Sequence, residues 1–136
     1  MSRAPVRAAP TSAQGPPPDQ AAREKIRSAL DANLLVEAGA GSGKTTSLVD
    51  RLMAYVARGE SVDGLAAVTF TRKAAAELRE RFQLALEGAA RNARRRAIAG
   101  DVRATAEAEG YERALSGLDG AFLGTIHAFC SRLLRE

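Results

Sequence analysis

Short apolar runs alternate with longer amphipathic segments along this chain, which predicts a mixed fold of strands and helices. Each apolar run has four to six residues, the length expected for a strand buried in a parallel sheet. The longer segments repeat apolar residues at the spacing of one helix face. In chain order the prediction is helix 19–32, strand 33–38, helix 44–58, strand 65–70, helix 72–99, helix 102–117, strand 121–124 and a last helix from Thr125. This alternation favours an α/β fold in which helices cover both faces of a parallel sheet.

Capping residues set the expected ends of these helices. Asp19 is predicted to cap the first helix, and Gly59 and Gly100 are predicted to end the second and the third. Gly88 lies inside the third helix, where glycine costs conformational entropy, so an interruption at that point is left open.

The first 18 residues differ in composition from the rest of the chain. All five prolines lie there, among Ala, Ser and Gly residues. Proline lacks a backbone donor and the segment offers few apolar residues for a core, so we predict a disordered tail over residues 1–18. The folded domain is expected over 19–136, with order beginning near Pro18 or Asp19.

The charge of the chain is positive and unevenly distributed. Seventeen Arg and three Lys residues against 16 acidic ones give a net charge of +4, which is compatible with a polyanionic partner. Residues 71–100 carry eight basic and three acidic side chains, whereas 101–136 carry four basic and six acidic ones. The arginine run within 91–96 is also typical of a solvated helix face, so it does not by itself predict binding.

The single cysteine, Cys130, excludes a disulfide within the chain and a cysteine metal cluster. It lies in an apolar segment, which predicts a buried small hydrophobic side chain. No apolar run reaches 18 residues, and the N-terminus lacks the apolar stretch of a secretory signal. Neither a membrane span nor secretion is therefore expected, and the protein is predicted to be cytoplasmic.

A glycine-rich segment follows the first predicted strand, and its spacing matches a phosphate-binding loop. The segment is Ala38-Gly39-Ala40-Gly41-Ser42-Gly43-Lys44-Thr45. Glycines let the backbone turn sharply and bring its amides close to a phosphate, and the following helix points its positive end at the anion. In such a loop Lys44 reaches the β- and γ-phosphates and the Thr45 hydroxyl binds Mg²⁺. The alternative is a glycine-rich turn that carries an exposed lysine.

Four segments, taken together, follow the motif order of one known family. Residues 37–46 contain the loop, beginning with Glu and ending with a second Thr, and residues 68–81 read Val-Thr-Phe-Thr-Arg-Lys-Ala-Ala-Ala-Glu-Leu-Arg-Glu-Arg. Residues 124–130 read Gly-Thr-Ile-His-Ala-Phe-Cys, and Asp19-Gln20 precedes the first strand. These segments resemble motifs I, Ia and Ib and the adenine-reading Q motif of superfamily 1 DNA helicases of the UvrD/RecB/AddA type. The Glu and the second Thr of the loop segment are most similar to the AddA/RecB branch.

This resemblance implies the first RecA-like domain of an ATP-driven motor, incomplete here, with a helical insert near 82–118. It implies ATP and Mg²⁺ as cofactors, with Lys44 and Thr45 in the catalytic roles. The residues expected to bind the nucleotide are Gln20, Ala38, Gly39, Ala40, Gly41, Ser42, Gly43, Lys44, Thr45 and Thr46. The residues expected along the DNA path are Thr69, Phe70, Thr71, Thr125 and His127. Hydroxyls, amides and an aromatic ring suit a protein that binds the phosphates and stacks the bases of a single strand.

Purely structural roles are the alternative for three aromatic residues. Phe70, at the end of a strand, is also typical of a core residue, and His127 is also compatible with packing against or capping the last helix. Phe129 falls at helical spacing from Arg132 and Leu133, which favours a core position.

Hydrolysis of ATP needs groups that this sequence does not contain. Phosphoryl transfer uses an acidic residue for Mg²⁺, a carboxylate for the attacking water and an arginine for the transition state. In the family that the chain resembles, the first two follow an apolar strand that ends in Asp-Glu, and no Asp-Glu pair occurs here. The resemblance therefore implies a truncated part of a 3′ to 5′ DNA helicase used in repair, which works with a partner from a helicase–nuclease complex. The chain alone is expected to bind nucleotide weakly and not to unwind DNA.

Two other classes stay open on the loop alone. One is a different P-loop enzyme, such as a small-molecule kinase, although a kinase does not account for the segment 68–81. The other is a non-catalytic module that keeps the loop as a structural element, for which replacing Lys44 would have no functional effect.

Overall fold

The computed structural model describes residues 18–135 and combines helices with a small parallel sheet. The elements are α1 (Gln20–Ser28), α2 (Lys44–Ala57), a 3₁₀ turn (Val62–Gly64), β1 (Ala66–Thr69), α3 (Arg72–Ile98), α4 (Val102–Ser116), β2 (Phe122–Thr125) and α5 (Ile126–Leu133). The predicted mixture of strands and helices is confirmed. The predicted disordered tail at 1–18 falls almost entirely outside the described residues.

The two strands are parallel neighbours in a two-stranded sheet. Ala66 is paired with Phe122 and Thr69 with Thr125, so the strands end at the same edge. The amide of Phe122 also donates to the carbonyl of Leu65 at 2.9 Å, just before β1. A parallel pair needs a long crossover connection, and α3 and α4 form that connection here.

Helices α3 and α4 form a long antiparallel hairpin between the two strands. Helix α3 runs for 27 residues and Gly88 does not interrupt it. Gly100 has a φ of 100° and makes the turn, and the Asp101 carboxylate accepts hydrogen bonds from the amides of Arg103 and Ala104 at 3.1 and 3.3 Å. The Arg96 guanidinium, 2.6 Å from Asp101, holds the pKa of that carboxyl below its ordinary value. The turn is thus fixed by glycine geometry and by a charged cap.

The uneven charge of the sequence is explained by ion pairs between α3 and the residues that follow it. Arg94 and Glu112 form a pair with two close nitrogen–oxygen contacts of 2.6 and 2.7 Å, and Arg96 contacts Glu107 at 2.8 Å. All four arginines between 91 and 96 are exposed, as predicted for a solvated helix face. Exposed pairs contribute little to stability.

No helix within residues 18–135 has both the length and the apolar character needed to cross a bilayer.

The core lies where α2 and α3 meet the sheet and α4. Its largest fully buried side chains are Phe82, Leu78 and Leu86, all on α3. The buried residues of the core cluster are Val49, Leu52, Val56, Val62, Ala67, Leu78, Phe82, Leu86, Ala114, Leu118 and Ala121. Helix α3 therefore supplies the centre of the core, and α2 is fixed against it by its own apolar face.

The predicted strand at 33–38 is wrong, because those residues form no strand in the structure. Leu35 is 89% exposed. A strand needs a neighbour because its backbone donors and acceptors point sideways. Within residues 18–135, β1 and β2 pair with each other and neither pairs with this segment. The expected sheet with both faces covered is therefore reduced to two strands.

An apolar groove of about 460 Å³ lies between α1, residues 30–36 and α2. Ile26, Leu34 and Val36 line it together with Leu48 of α2. The apolar residues that predicted a strand therefore line a groove instead of the interior of a sheet. Lys44 also lines this groove, so the groove adjoins the end of the glycine-rich loop.

Helix α1 is shorter than predicted and is fixed to α2 by its C-terminal carbonyls. It ends at Ser28 rather than at residue 32. Arg51 of α2 donates to the carbonyl of Ile26 at 2.6 Å, and the hydroxyl of Tyr55 donates to the carbonyl of Leu30 at 2.6 Å. A cation at a helix C-terminus pairs with carbonyls that lack helical partners and with the negative end of the dipole. These bonds set the position of α1 relative to α2.

Helix α5 is less buried than predicted. Cys130 is exposed, so its predicted burial is wrong. Phe129 is half-buried and packs against Phe122 with 5.1 Å between ring centroids, which confirms its packing role in part. This helix has eight residues and none of them is fully buried, because it packs mainly on the two short strands.

Replacing Leu86 with Ala should lower the free energy of unfolding by about 2–5 kcal/mol, because a buried leucine leaves a cavity. Leu84, two residues earlier on the same helix and 57% exposed, is the matched control. Leu84→Ala should change the free energy by less than about 0.5 kcal/mol. Urea denaturation followed by circular dichroism measures both variants, and equal losses would contradict the assigned core.

Candidate nucleotide and nucleic-acid site

The glycine-rich loop is built by two residues with left-handed backbone. Gly41 has a φ of 75° and Gly43 a φ of 85°, a region in which a side chain is strained. Between them lies Ser42, whose amide donates to the carbonyl of Gly39 at 3.3 Å. The loop therefore turns sharply just before α2 begins, as its glycine spacing predicted.

The first turn of α2 leaves its amides without partners. The first helical hydrogen bond runs from the amide of Ser47 to the carbonyl of Gly43 at 2.9 Å. Gly43 occupies the N-cap position of α2, and glycine has no side chain that could accept a hydrogen bond from the first helix amides. In the described part of the chain no hydrogen bond uses the amides of Lys44, Thr45 or Thr46. Such amides carry the positive end of the helix dipole and bind anions.

Lys44 extends across the loop. Its Nζ atom donates to the carbonyl of Ala38 at 2.8 Å. An ammonium has three donors, so this bond leaves two for an anion held by the loop. The side chain is exposed, as are Thr45 and Thr46, and a ligand can reach all three.

The residues of the loop fit a magnesium nucleotide. The Oγ atom of Ser42 is buried and has no hydrogen-bond partner in the described structure, an arrangement that is costly without an acceptor. The Thr45 hydroxyl is exposed beside the open amides, and Mg²⁺ takes few protein ligands when phosphate oxygens and water complete its shell. Among residues 18–135 no group of three or more His, Cys, Asp and Glu side chains converges on a metal site.

Arg23 is a loop contact that the sequence did not predict. Its Nη2 atom donates to the carbonyl of Ser42 at 2.7 Å, and its Nε atom donates to Asp19 at 2.7 Å. Asp19 occupies the N-cap position of α1, as predicted, but its side chain accepts no capping hydrogen bond. The hydrogen bond from Arg23 holds the pKa of the Asp19 carboxyl below its ordinary value. The spacing of four residues between Asp19 and Arg23 is a sequence signal for their ion pair, but not for the contact with Ser42.

Gln20 is the first residue of α1 and is exposed. It lies one turn before Arg23, so both residues belong to the same side of the helix. Its predicted role toward adenine stays a prediction. Gln20 thus lies on the same helix as Arg23, the residue through which α1 contacts the loop.

Each strand of the sheet leads into a helix that is capped by a threonine, Thr71 after β1 and Thr125 as the last residue of β2. Thr71 accepts from the amide of Ala74 at 3.1 Å, and Thr125 accepts from the amide of Ala128 at 3.3 Å. Thr69 donates to the carbonyl of Thr71 at 3.0 Å. Since the strands are parallel and in register, these hydroxyls lie at one edge of the sheet.

The structural roles considered as alternatives for Phe70 (a core residue) and His127 (packing against or capping the last helix) are not supported by the fold. Phe70 is 92% exposed, so it is not a core residue. His127 is exposed, and the cap of α5 is Thr125. Both rings are therefore accessible at the carboxyl edge of the sheet.

The start of α3 is unusually positive. Arg72 and Lys73 occupy its first turn and no acidic residue does, although cations are unfavourable beside the positive end of a helix dipole. The Nζ atom of Lys73 lies 4.0 Å from the Oε1 atom of Glu77, which is a long distance for an ion pair. The edge that carries the threonines and Phe70 thus combines two helix N-termini with basic side chains, an arrangement that attracts phosphates.

A glycine-rich loop that presents free amides, a lysine and a threonine at a helix start is the arrangement of P-loop nucleotide-binding proteins. The chain belongs to the UvrD/REP helicase N-terminal domain family, whose model matches residues 19–136. The resemblance to superfamily 1 helicases stated from the motifs is thereby confirmed. The individual site residues stay predictions.

Curated relatives of the chain are named as subunits of an ATP-dependent helicase/nuclease. The protein from Levilactobacillus brevis is 43% identical over 104 residues, which is 76% of this chain and 8% of that protein. The protein from Moorella thermoacetica is 41% identical over 121 residues, or 87% of this chain and 8% of that protein. The chain thus spans a small part of these relatives. No solved structure matches the chain.

Replacing Gly43 with Ala should lower the free energy of unfolding by about 1–2 kcal/mol, because its φ of 85° strains any other residue. The new Cβ would also lie 3.1 Å from the Nη1 atom of Arg23. Gly39 is the matched control, since nothing lies within 4 Å of a Cβ there. Thermal melting should show little change for Gly39→Ala, and an equal loss would contradict the loop geometry.

Proposed function

We propose that this chain binds the phosphates of Mg-ATP in the loop at 38–46, as part of the first RecA-like domain of a DNA helicase motor. The observation that carries the proposal is the set of unpaired amides at Lys44, Thr45 and Thr46. Membership of the UvrD/REP family supports the same role.

Each loop residue has a proposed role that follows from its chemistry. Lys44 binds the β- and γ-phosphates as a point charge, and the Thr45 hydroxyl oxygen is a ligand of Mg²⁺. The amides from Gly39 to Thr46 surround the phosphate chain, and Gln20 reads adenine. The magnesium ion would supply charge neutralisation at the phosphates when bound.

The carboxyl edge of the sheet is proposed to contact DNA. Thr69, Thr71 and Thr125 offer hydroxyls there, and the exposed rings of Phe70 and His127 are accessible for stacking on bases. The relatives are named as helicase/nuclease proteins, which supports DNA as the substrate of the longer protein. We extend this to movement from 3′ to 5′ on single-stranded DNA, unwinding of duplex DNA in repair, and assembly with a helicase–nuclease partner in the cytoplasm.

The chain by itself is proposed to bind without unwinding. Its sequence contains no Asp-Glu pair for the metal and the attacking water, and phosphoryl transfer needs such groups. Hydrolysis and movement are therefore assigned to the longer protein that includes this segment.

Lys44→Ala should abolish binding of Mg-ATP without unfolding the chain, because the lost ammonium faces the phosphates while its loss leaves the core intact. Lys25→Ala is the control, since Lys25 is an exposed residue on α1. Titration calorimetry measures affinity and circular dichroism measures the fold. An unchanged affinity of Lys44→Ala for Mg-ATP would contradict the nucleotide assignment and favour a non-catalytic module.

Phe70→Ala should weaken binding of single-stranded DNA by about tenfold, because stacking on one aromatic ring is worth about 1–3 kcal/mol per base. Ile98, 82% exposed at the far end of α3, is the matched apolar control. Fluorescence anisotropy with a labelled oligonucleotide at two salt concentrations gives the affinity and its salt dependence. A similar loss in Ile98→Ala would show that the sheet edge is not the DNA path.

A further inference from the structure

Arg23 joins two parts of the molecule that are distant in sequence. Its Nη2 atom donates to the carbonyl of Ser42 in the loop at 2.7 Å, and the same guanidinium pairs with Asp19, the residue just before α1, at 2.7 Å. Its Nη1 atom lies 3.1 Å from the position that a Cβ on Gly43 would occupy. The guanidinium thus lies directly beside the Ser42–Gly43 peptide.

The bonded carbonyl belongs to a residue that lies between two glycines of the loop. Ser42 lies between Gly41 and Gly43, and glycines have the widest range of backbone conformations. A trans peptide is planar, so its N–H points opposite to its C=O. Holding the carbonyl of Ser42 toward α1 therefore directs the amide of Gly43 away from α1.

Helix α1, which carries Arg23, is bonded to α2 at its C-terminal end. Arg51 of α2 binds the carbonyl of Ile26 at 2.6 Å and that of Ala29 at 3.1 Å. Helix α1 is thereby fixed to the same helix that the loop precedes. The guanidinium of Arg23 is in turn oriented by the Asp19 carboxylate, since a planar guanidinium binds two partners in a fixed relative geometry.

We propose that Arg23 is a positioning residue for the phosphate loop, which orients the Ser42–Gly43 peptide so that the Gly43 amide faces the phosphates. This inference rests on the proposed nucleotide site. It also predicts that Arg23 acts on phosphate binding through the loop and not through the base of the nucleotide.

The first test uses the ligand-free 136-residue chain. Backbone ¹⁵N order parameters of Gly41, Ser42 and Gly43 should fall in Arg23→Ala, while those of α3 stay unchanged. Arg27→Ala is the control, because Arg27 pairs with Glu24 on the same helix and makes no loop contact in the described structure. Unchanged loop order parameters in Arg23→Ala would overturn the proposal whether or not the chain binds nucleotide.

The second test compares Mg-ATP with magnesium tripolyphosphate by titration calorimetry. Arg23→Ala should weaken both ligands by about tenfold or more, the factor expected for a lost hydrogen bond to a charged group. Arg23→Lys should recover part of the affinity, since an ammonium can still donate to the Ser42 carbonyl. Gln20→Ala should weaken ATP alone.

The outcomes separate the inference from the function on which it rests. Loss of ATP affinity without loss of tripolyphosphate affinity in Arg23→Ala would overturn the positioning role, because it would place Arg23 on the base or sugar. A wild-type chain that binds neither ligand would refute the nucleotide site, and the order parameters would still decide whether Arg23 orders the loop.

Discussion

The packing of α2 against α3 is the interaction on which the rest of this structure depends. Leu52 and Val56 of α2 belong to the same buried cluster as Phe82 and Leu86 of α3. Because that face of α2 is fixed, its N-terminus holds the glycine-rich loop in one place, and its Arg51 holds α1 by the carbonyls. Together with α4, the same α3 connects the two strands, whose parallel register places their threonines at one edge.

The sequence predicted those features that are decided locally. The glycine spacing predicted the turn of the loop, and Gly41 and Gly43 have the left-handed backbone that this turn requires. The long helix and the helix starts after Thr71 and Thr125 also lie within one turn of their sequence signals. The predictions that proved wrong concern features that depend on neighbours distant in sequence. The segment 33–38 has the composition of a strand, but no strand in the described residues pairs with it.

The contact of Arg23 with the loop could not be predicted for the same reason. The i to i+4 spacing from Asp19 indicates an ion pair on a helix, but the contact with Ser42 depends on how α1 is placed against α2. Likewise Cys130 lies in an apolar stretch that predicted burial, yet α5 packs mainly on two short strands and leaves it exposed. Periodicity indicates which face of a helix is apolar and does not indicate how much of the molecule covers it.

Anion binding at the starts of helices is the central claim, and backbone amide shifts measure it most directly. A titration of the ¹⁵N-labelled chain with Mg-ATP should move the amide resonances of residues 39–46 most strongly, with saturation at a single affinity. The amides of the α3–α4 hairpin should stay in place. Shifts that are absent from 39–46, or that cluster elsewhere at the same affinity, would contradict the account.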